Sequence, residues 1–248
     1  MATRKRSTTV TAKKKTAAAP RTRQPKAGAD AILDAVSALL SEGGLAALAP
    51  ERVAERAEIT VRELAKRRLD DASALSLALF ERHLAAHDAR ARAGMRERYA
   101  LGDRLRVTLE AALAISDEER RELAALSRVL LDAESEAWLF GDAGARSRKI
   151  AIDLFKHVAR ADEVPADMRD LVALTLFLVH LGIFVRFVHD RSRGQRQTRA
   201  LIDAAVDLAP TLAILIASPF ATVARTKILR ALRDGGVLPA ELLSLAKP

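Results

Sequence analysis

The sequence predicts an all-α protein, and three observations carry that expectation. Half of the 248 residues are apolar and only 4% are aromatic, a diet of Ala, Leu, Arg and Glu that favours helices and leaves few of the Val/Ile/Thr/Tyr runs that make strands. From Ala29 onward apolar residues recur at helical spacing. Short Gly- and Pro-containing breaks then separate the helical stretches. The length suits two modest domains, expected at 29–75 and 76–248, behind a tail at 1–28.

The charge of the chain is uneven. Of its net +9, all comes from residues 1–28, which hold nine Lys/Arg and no acid; the other 220 residues hold 32 of each sign. A stretch of Lys, Arg, Ala, Thr and Pro has little to bury, so the tail is expected to be disordered in isolation. It suits a phosphate-seeking arm, with a merely solubilising extension as the alternative. The start is basic but lacks a following apolar stretch, so no secretory signal is expected. No Cys is present, which removes disulfides and thiolate metal sites and fits a cytoplasmic, nucleoid-associated location. The longest uncharged runs, Leu171–Val185 and Leu208–Ala224, are short for membrane spans and read as helices buried in protein.

Each element has its own signals. Ile32, Val36, Leu39 and Leu40 make one apolar face that Gly43-Gly44 ends. Pro50 opens a second, short helix burying Val53, Ala54 and Ala57, with Glu51 favouring its dipole. After a turn at Glu58-Ile59, Thr60 and Glu63 form a capping box for a third helix over Val61–Arg68. Asp70 or Asp71 caps a fourth, in which Leu75, Leu79 and Phe80 point inward. Further helices are predicted near 72–98, 102–116, 118–139, 145–160, 167–190, 196–217 and 220–233.

Three short helices with a tight turn between the second and third suit a helix-turn-helix that reads DNA. The segment AILDAVSALLSEGGLAALAPERVAERAEIT, followed by VRELAKRRLDDASALSLALFERHL, resembles the tetracycline-repressor (TetR) family of regulators. The likeness rests on Ile32–Gly44, Val53-Ala54, the turn Glu58-Ile59-Thr60, Leu64 as the buried aliphatic of the recognition helix, and Asp70–Leu75. It implies a homodimeric, double-stranded-DNA-binding regulator, a repressor, controlled by a small-molecule effector. The candidate DNA-contacting residues are Arg52, Thr60, Val61, Arg62, Ala65, Lys66 and Arg67. Among them, Arg62 and Lys66 share a helix face and Arg67 follows, a cluster suited to phosphates or guanine edges.

The chain departs from the family's pattern at several points. Glu58 stands where Gly is usual, Ala65 and Arg68 where aromatics are usual, Asp71 where a Lys is common, and Ala49 where a hydroxyl cap is common. Arg68 lies one helical turn from Leu64, so it is expected to snorkel outward and leave Leu69 to fill the vacated site. These departures keep a second reading open: a protein of this fold that has lost operator reading and acts through protein contacts or non-specific DNA binding by its tail.

For residues 76–248 the resemblance implies effector binding and dimerisation through the last two long helices, here within 168–217. Val179, Gly182, Ile183 and Arg186 share one expected face, and Leu201, Ala205, Leu208 and Leu212 another. Trp138, Phe155, Phe177, His180 and Phe184 are the candidate pocket residues for a small hydrophobic ligand, with ordinary core packing as the alternative. His83 and His87 have a metal-pair spacing, but no third ligand accompanies them, so no metal or other cofactor is expected. No phosphate loop or nucleophile–base set is apparent, and no enzyme is expected.

Overall fold

The structure, a computed structural model, describes residues 28–236; the tail expected at 1–28 lies outside them, Gly28 apart. The described residues form ten α-helices and no strand: α1 (Ala29–Gly43), α2 (Pro50–Arg56), α3 (Val61–Lys66), α4 (Ala72–Gly94), α5 (Leu101–Leu113), α6 (Asp117–Leu130), α7 (Ala145–Val158), α8 (Arg169–His189), α9 (Arg196–Ala217) and α10 (Thr222–Asp234).

The helix ends follow from local chemistry. Gly44, at φ +64°, ends α1 and donates its N–H to the Leu40 carbonyl at 2.9 Å, a backbone conformation that Gly adopts without steric cost. The Thr60 hydroxyl accepts from the Glu63 amide while Glu63 reaches back to the Thr60 amide. Asp71 accepts from the Ala74 amide at 2.7 Å and starts α4.

Two apolar cores result. One gathers Ile32, Val36 and Leu39 of α1, Val53 of α2, Leu64 of α3 and Leu75, Leu79 and Phe80 of α4. It continues without interruption into Leu123 and Leu126 of α6 and Phe187 of α8. The other joins Leu101, Leu105 and Leu109 of α5 with Phe155 of α7, Val172 and Phe177 of α8, and Ile202 and Val206 of α9. Helix α4 contributes to both, since Leu79 lies in the first and Ala91 in the second. The boundary expected at 75/76 therefore falls inside a continuous helix, which mechanically ties the first three helices to the rest.

Several predicted helices end earlier than expected. The helix predicted over 118–139 ends at Leu130, because Asp132 and Ser135 turn their side chains onto the amides of Glu134 and Ala137. Such local bonds compete with the helical ladder. The irregular segment after it is tied down by Arg148, which donates to the carbonyls of Leu139 and Gly141. Likewise α4 stops at Gly94 rather than near 98, and the helix predicted over 102–116 runs from Leu101 to Leu113.

Long-range polar contacts fix the later helices. The buried Arg104 of α5 donates to the His157 carbonyl at 2.7 Å and the Val158 carbonyl at 3.2 Å, satisfying the C-terminal end of α7. Asp190 bridges α8 and α9 by accepting from the amides of Ser192 and Thr198 and from the Thr198 hydroxyl. The Ser192 bond and its companions hold the Asp190 carboxyl well below the usual carboxylate range.

Candidate functional site

The first candidate surface is built on α2 and α3. Both helices end in the same backbone device. After α2, Glu58 takes φ +53° and the Ile59 amide donates to the Ala54 carbonyl at 2.9 Å. After α3, Arg68 takes φ +58°, the Arg68 amide donates to the Ala65 carbonyl at 3.0 Å, and the Leu69 amide to the Leu64 carbonyl at 3.0 Å. These are Schellman endings, with a left-handed residue followed by an apolar one that packs back. Arg68 is therefore exposed because it stands outside the helix, not because it snorkels from within it. Leu69 packs against the core beside Leu64, as expected.

This arrangement leaves Val61, Arg62, Ala65 and Lys66 exposed along α3, with Leu64 fully buried beneath them. No carboxylate pairs with Arg62 or Lys66 among the described residues, and Glu63 is engaged in the capping box. Thr60 is spent on the same cap, while Arg67 caps the end of α3. Arg52 lies exposed on α2, one turn before Arg56. Arg56 forks onto Glu42 at 2.6 and 2.7 Å, and that contact, with Arg52 adding to it, holds the Glu42 carboxyl below its ordinary range.

The second candidate is a cavity of ≈ 50 Å³ between α4 and α8, closed by Ala112 of α5, Leu123 of α6, Ala151 of α7 and Leu139. Of the five predicted pocket residues, Phe177, His180 and Phe184 line it. Phe155 sits behind them, its ring 5.2 Å from that of His180 and 6.4 Å from that of Phe177. Trp138 is not in the wall; it lies in the segment after α6 and meets Phe140 at 6.0 Å.

Three polar residues of α4 that sequence reasoning did not place in a pocket, His83, His87 and Arg90, also line the cavity. The two histidines diverge. His83 Nε2 donates to Glu122 Oε2 at 2.7 Å, whereas His87 Nε2 donates to the Thr108 carbonyl at 2.8 Å. Among the described residues no three His, Asp or Glu side chains gather as metal ligands. Burial drives the His87 ring below its ordinary pKa. His180 is pushed down to about 3, by burial first and the neighbouring His87 second. Both rings are neutral near pH 7. The i,i+4 spacing of His83 and His87 was visible in the sequence; their partners, 39 and 21 residues away, were not.

The third candidate is an apolar face. Leu201, Leu208 and Leu215 recur every seventh residue on the outside of α9, and all three are exposed. On α8, Gly182 is exposed and Arg186 half-buried, Val179 is half-buried and packs against the core, and Ile183, predicted on the same face, is buried in it. Helices Ala166–His189 and Arg193–Ala217 are each long and apolar enough to cross a membrane by length and composition. Half of the most apolar stretch of the first is buried, and about a fifth of that of the second. Around the end of α9 the exposure continues through Ile214, Val223, Ile228 and Phe220, the last 98% exposed. An apolar groove of ≈ 610 Å³ runs between α8, α9 and α10, walled by residues such as Leu174, Leu178, Leu212, Ile216 and Leu232.

No protein-family model and no curated protein matches this sequence. Among solved structures, the chain is similar to a TetR-like transcriptional regulator from Rhodococcus sp. RHA1, with 20% sequence identity and a TM-score of 0.47, over 82% of this chain and 99% of that one.

Proposed function

We propose that this chain is a DNA-binding transcriptional regulator of the TetR type, a homodimeric repressor whose hold on double-stranded DNA is set by a small-molecule effector. The observation that carries the reading is the α3 surface: a capped helix, anchored by Leu64, that presents Arg62 and Lys66 one turn apart with no acid paired to either. Free cations on a rigid, short helix beside a tight turn are what major-groove reading requires. The sequence resemblance over the first four helices supports the same assignment. The basic residues 1–28 add sequence-independent, salt-sensitive affinity.

The apolar face of α8 and α9 supports the dimer, since exposed Leu201, Leu208 and Leu215 need cover. A two-fold pair would present two α3 helices to half-sites about one helical turn apart. The cavity beneath α4 supports the effector, because α4 joins its wall to the core of the first three helices. In this reading residues 29–75 read DNA, residues 76–248 sense and dimerise, and the protein works in the cytoplasm on the nucleoid.

Selection of duplexes from a random pool by the full chain tests the proposal. It predicts an enriched palindrome of two half-sites. Enrichment without any consensus, abolished by removing residues 1–28, favours instead a protein of this fold that binds DNA only through its tail. Ala65, too small to brace a phosphate where the family carries an aromatic, is the residue that favours this second reading.

A further inference from the structure

The groove between α8, α9 and α10 is separate from the cavity beneath α4, and DNA reading makes no use of it. Its volume of ≈ 610 Å³ falls within the range of small-molecule clefts. The wall is apolar apart from Thr175 and one cation, Arg225, and no acidic side chain lines it. Arg225 stands at one end of the groove, where α9 closes and α8 begins. There its Nη1 donates to the Ile216 carbonyl at 2.7 Å and meets Met168 Sδ at 3.6 Å. Its Nε and Nη2 have no hydrogen-bond partner among the described residues, and neither is a buried orphan, so both reach solvent. From Leu208 to Arg233 the chain carries Arg225, Lys227, Arg230 and Arg233 and no acid, a field that favours an anion. From Leu171 to Val179, α8 follows the groove for about 12 Å, the length of about ten carbon–carbon bonds in an extended chain.

We propose that this groove binds a single-chain anionic amphiphile, a free medium-chain carboxylate of about ten carbons. Its carboxylate lies on Nε and Nη2 of Arg225, and its chain runs along α8 toward Val179. The two free N–H groups form one edge of the guanidinium, which matches the two oxygens of a carboxylate. An alcohol of equal length would bury the same chain but lack the charge that edge selects. A cationic amphiphile would be repelled by Arg225 and its basic neighbours. Of the α9 stripe proposed for the dimer, only Leu215 belongs to the wall, so groove and stripe are separate over most of their extent. The site goes beyond the proposed regulator and holds whether or not α3 reads DNA.

The test is calorimetric titration of the full chain, without DNA, with decanoate, decanol, decyltrimethylammonium and hexanoate, each kept below self-association. One decanoate is expected per chain, bound about ten-fold more tightly than decanol, as a hydrogen-bonded charge gives. It should exceed hexanoate by more than ten-fold, since each buried CH₂ is worth about four-fold. Arg225→Gln is expected to bring decanoate down to decanol. Ala224→Trp, at an exposed wall position on α10, should fill the groove and weaken decanoate by ten-fold or more. The monomer-directed variant Leu208→Glu should bind decanoate as the unaltered chain does. Decanol or decyltrimethylammonium equal to decanoate, hexanoate equal to it, several decanoates per chain, or no binding overturns the inference in the unaltered chain alone. So does an unchanged decanoate preference in folded Arg225→Gln, or in Arg225→Met should the glutamine variant fail to fold. Binding by Leu208→Glu alone would assign the groove to a second copy. Co-sedimentation with phosphatidylglycerol vesicles by a chain that does not bind decanoate would assign it to a membrane, and either result overturns the inference.

Discussion

His83 and Glu122 meet through Nε2 and Oε2 at 2.7 Å, both largely buried, and their contact joins the cavity wall on α4 to the helix that packs against α1. Burial alone would raise the Glu122 carboxyl. The hydrogen bonds of His83 and then Ser37 outweigh it and hold the group below its ordinary value. Removing one partner strands a buried carboxylate, so His83→Ala is expected to destabilise the fold by about 3 kcal/mol. His83→Leu combined with Glu122→Leu should cost less than the sum of the two single changes, read as denaturation midpoints in a double-mutant cycle.

The stability of the protein should fall with acid. His180, at about 3, and His87, also lowered, resist protonation when folded, whereas both bind a proton near 6.5 once unfolded. A group with a depressed folded value binds more protons in the unfolded chain across that interval. For His180 stability is thus lost as pH drops from about 6.5 toward 3, by up to about 1.4 kcal/mol per pH unit, and His87 adds a loss of the same sign below its unfolded value. Urea titrations at pH 7.5, 6.5 and 5.5 should show the decline. His180→Gln should show a shallower one.

The left-handed residues Glu58 and Arg68, at φ +53° and +58°, occupy positions where a side chain crowds its own backbone. Glu58→Gly and Arg68→Gly should each raise stability by about 1 kcal/mol, or roughly 2–4 °C in melting temperature. Calorimetric melting of the two variants checks this. A fall in both would mean that side-chain contacts outweigh the backbone strain.

The exposed leucines of α9 predict an association state. Leu208→Glu places a charge at the middle of the Leu201–Leu208–Leu215 stripe, and burying it against a partner is expensive. Sedimentation should find the unaltered chain as a dimer and the variant as a monomer of equal helical content.

How far the sequence could carry these conclusions depends on the range of the interaction. The end of α1 and the start of α3 were legible because Gly43-Gly44 and the Thr60–Glu63 pair act within one turn. The end of α6 was not, since apolar spacing runs on through Ala133 and Ala137 while Asp132 and Ser135 turn the backbone away. Arg68 misled for the same reason, as helical spacing from Leu64 cannot reveal that the helix has already closed. Phe177, His180 and Phe184 were identifiable as one apolar neighbourhood on α8. Trp138 was placed on a helix that does not extend to it. The bonds that give the cavity its chemistry, His87 to Thr108 and His83 to Glu122, depend on tertiary packing, and no local pattern encodes them.

The central claim is that α3 reads DNA. Its most direct test is the affinity of the full chain for its selected duplex, set against an Arg62→Ala/Lys66→Ala variant at one salt concentration. Two lost groove or phosphate contacts are expected to weaken binding by about 30-fold or more, with a smaller loss on a scrambled duplex. Equal affinities in the two proteins, on both duplexes, would contradict it.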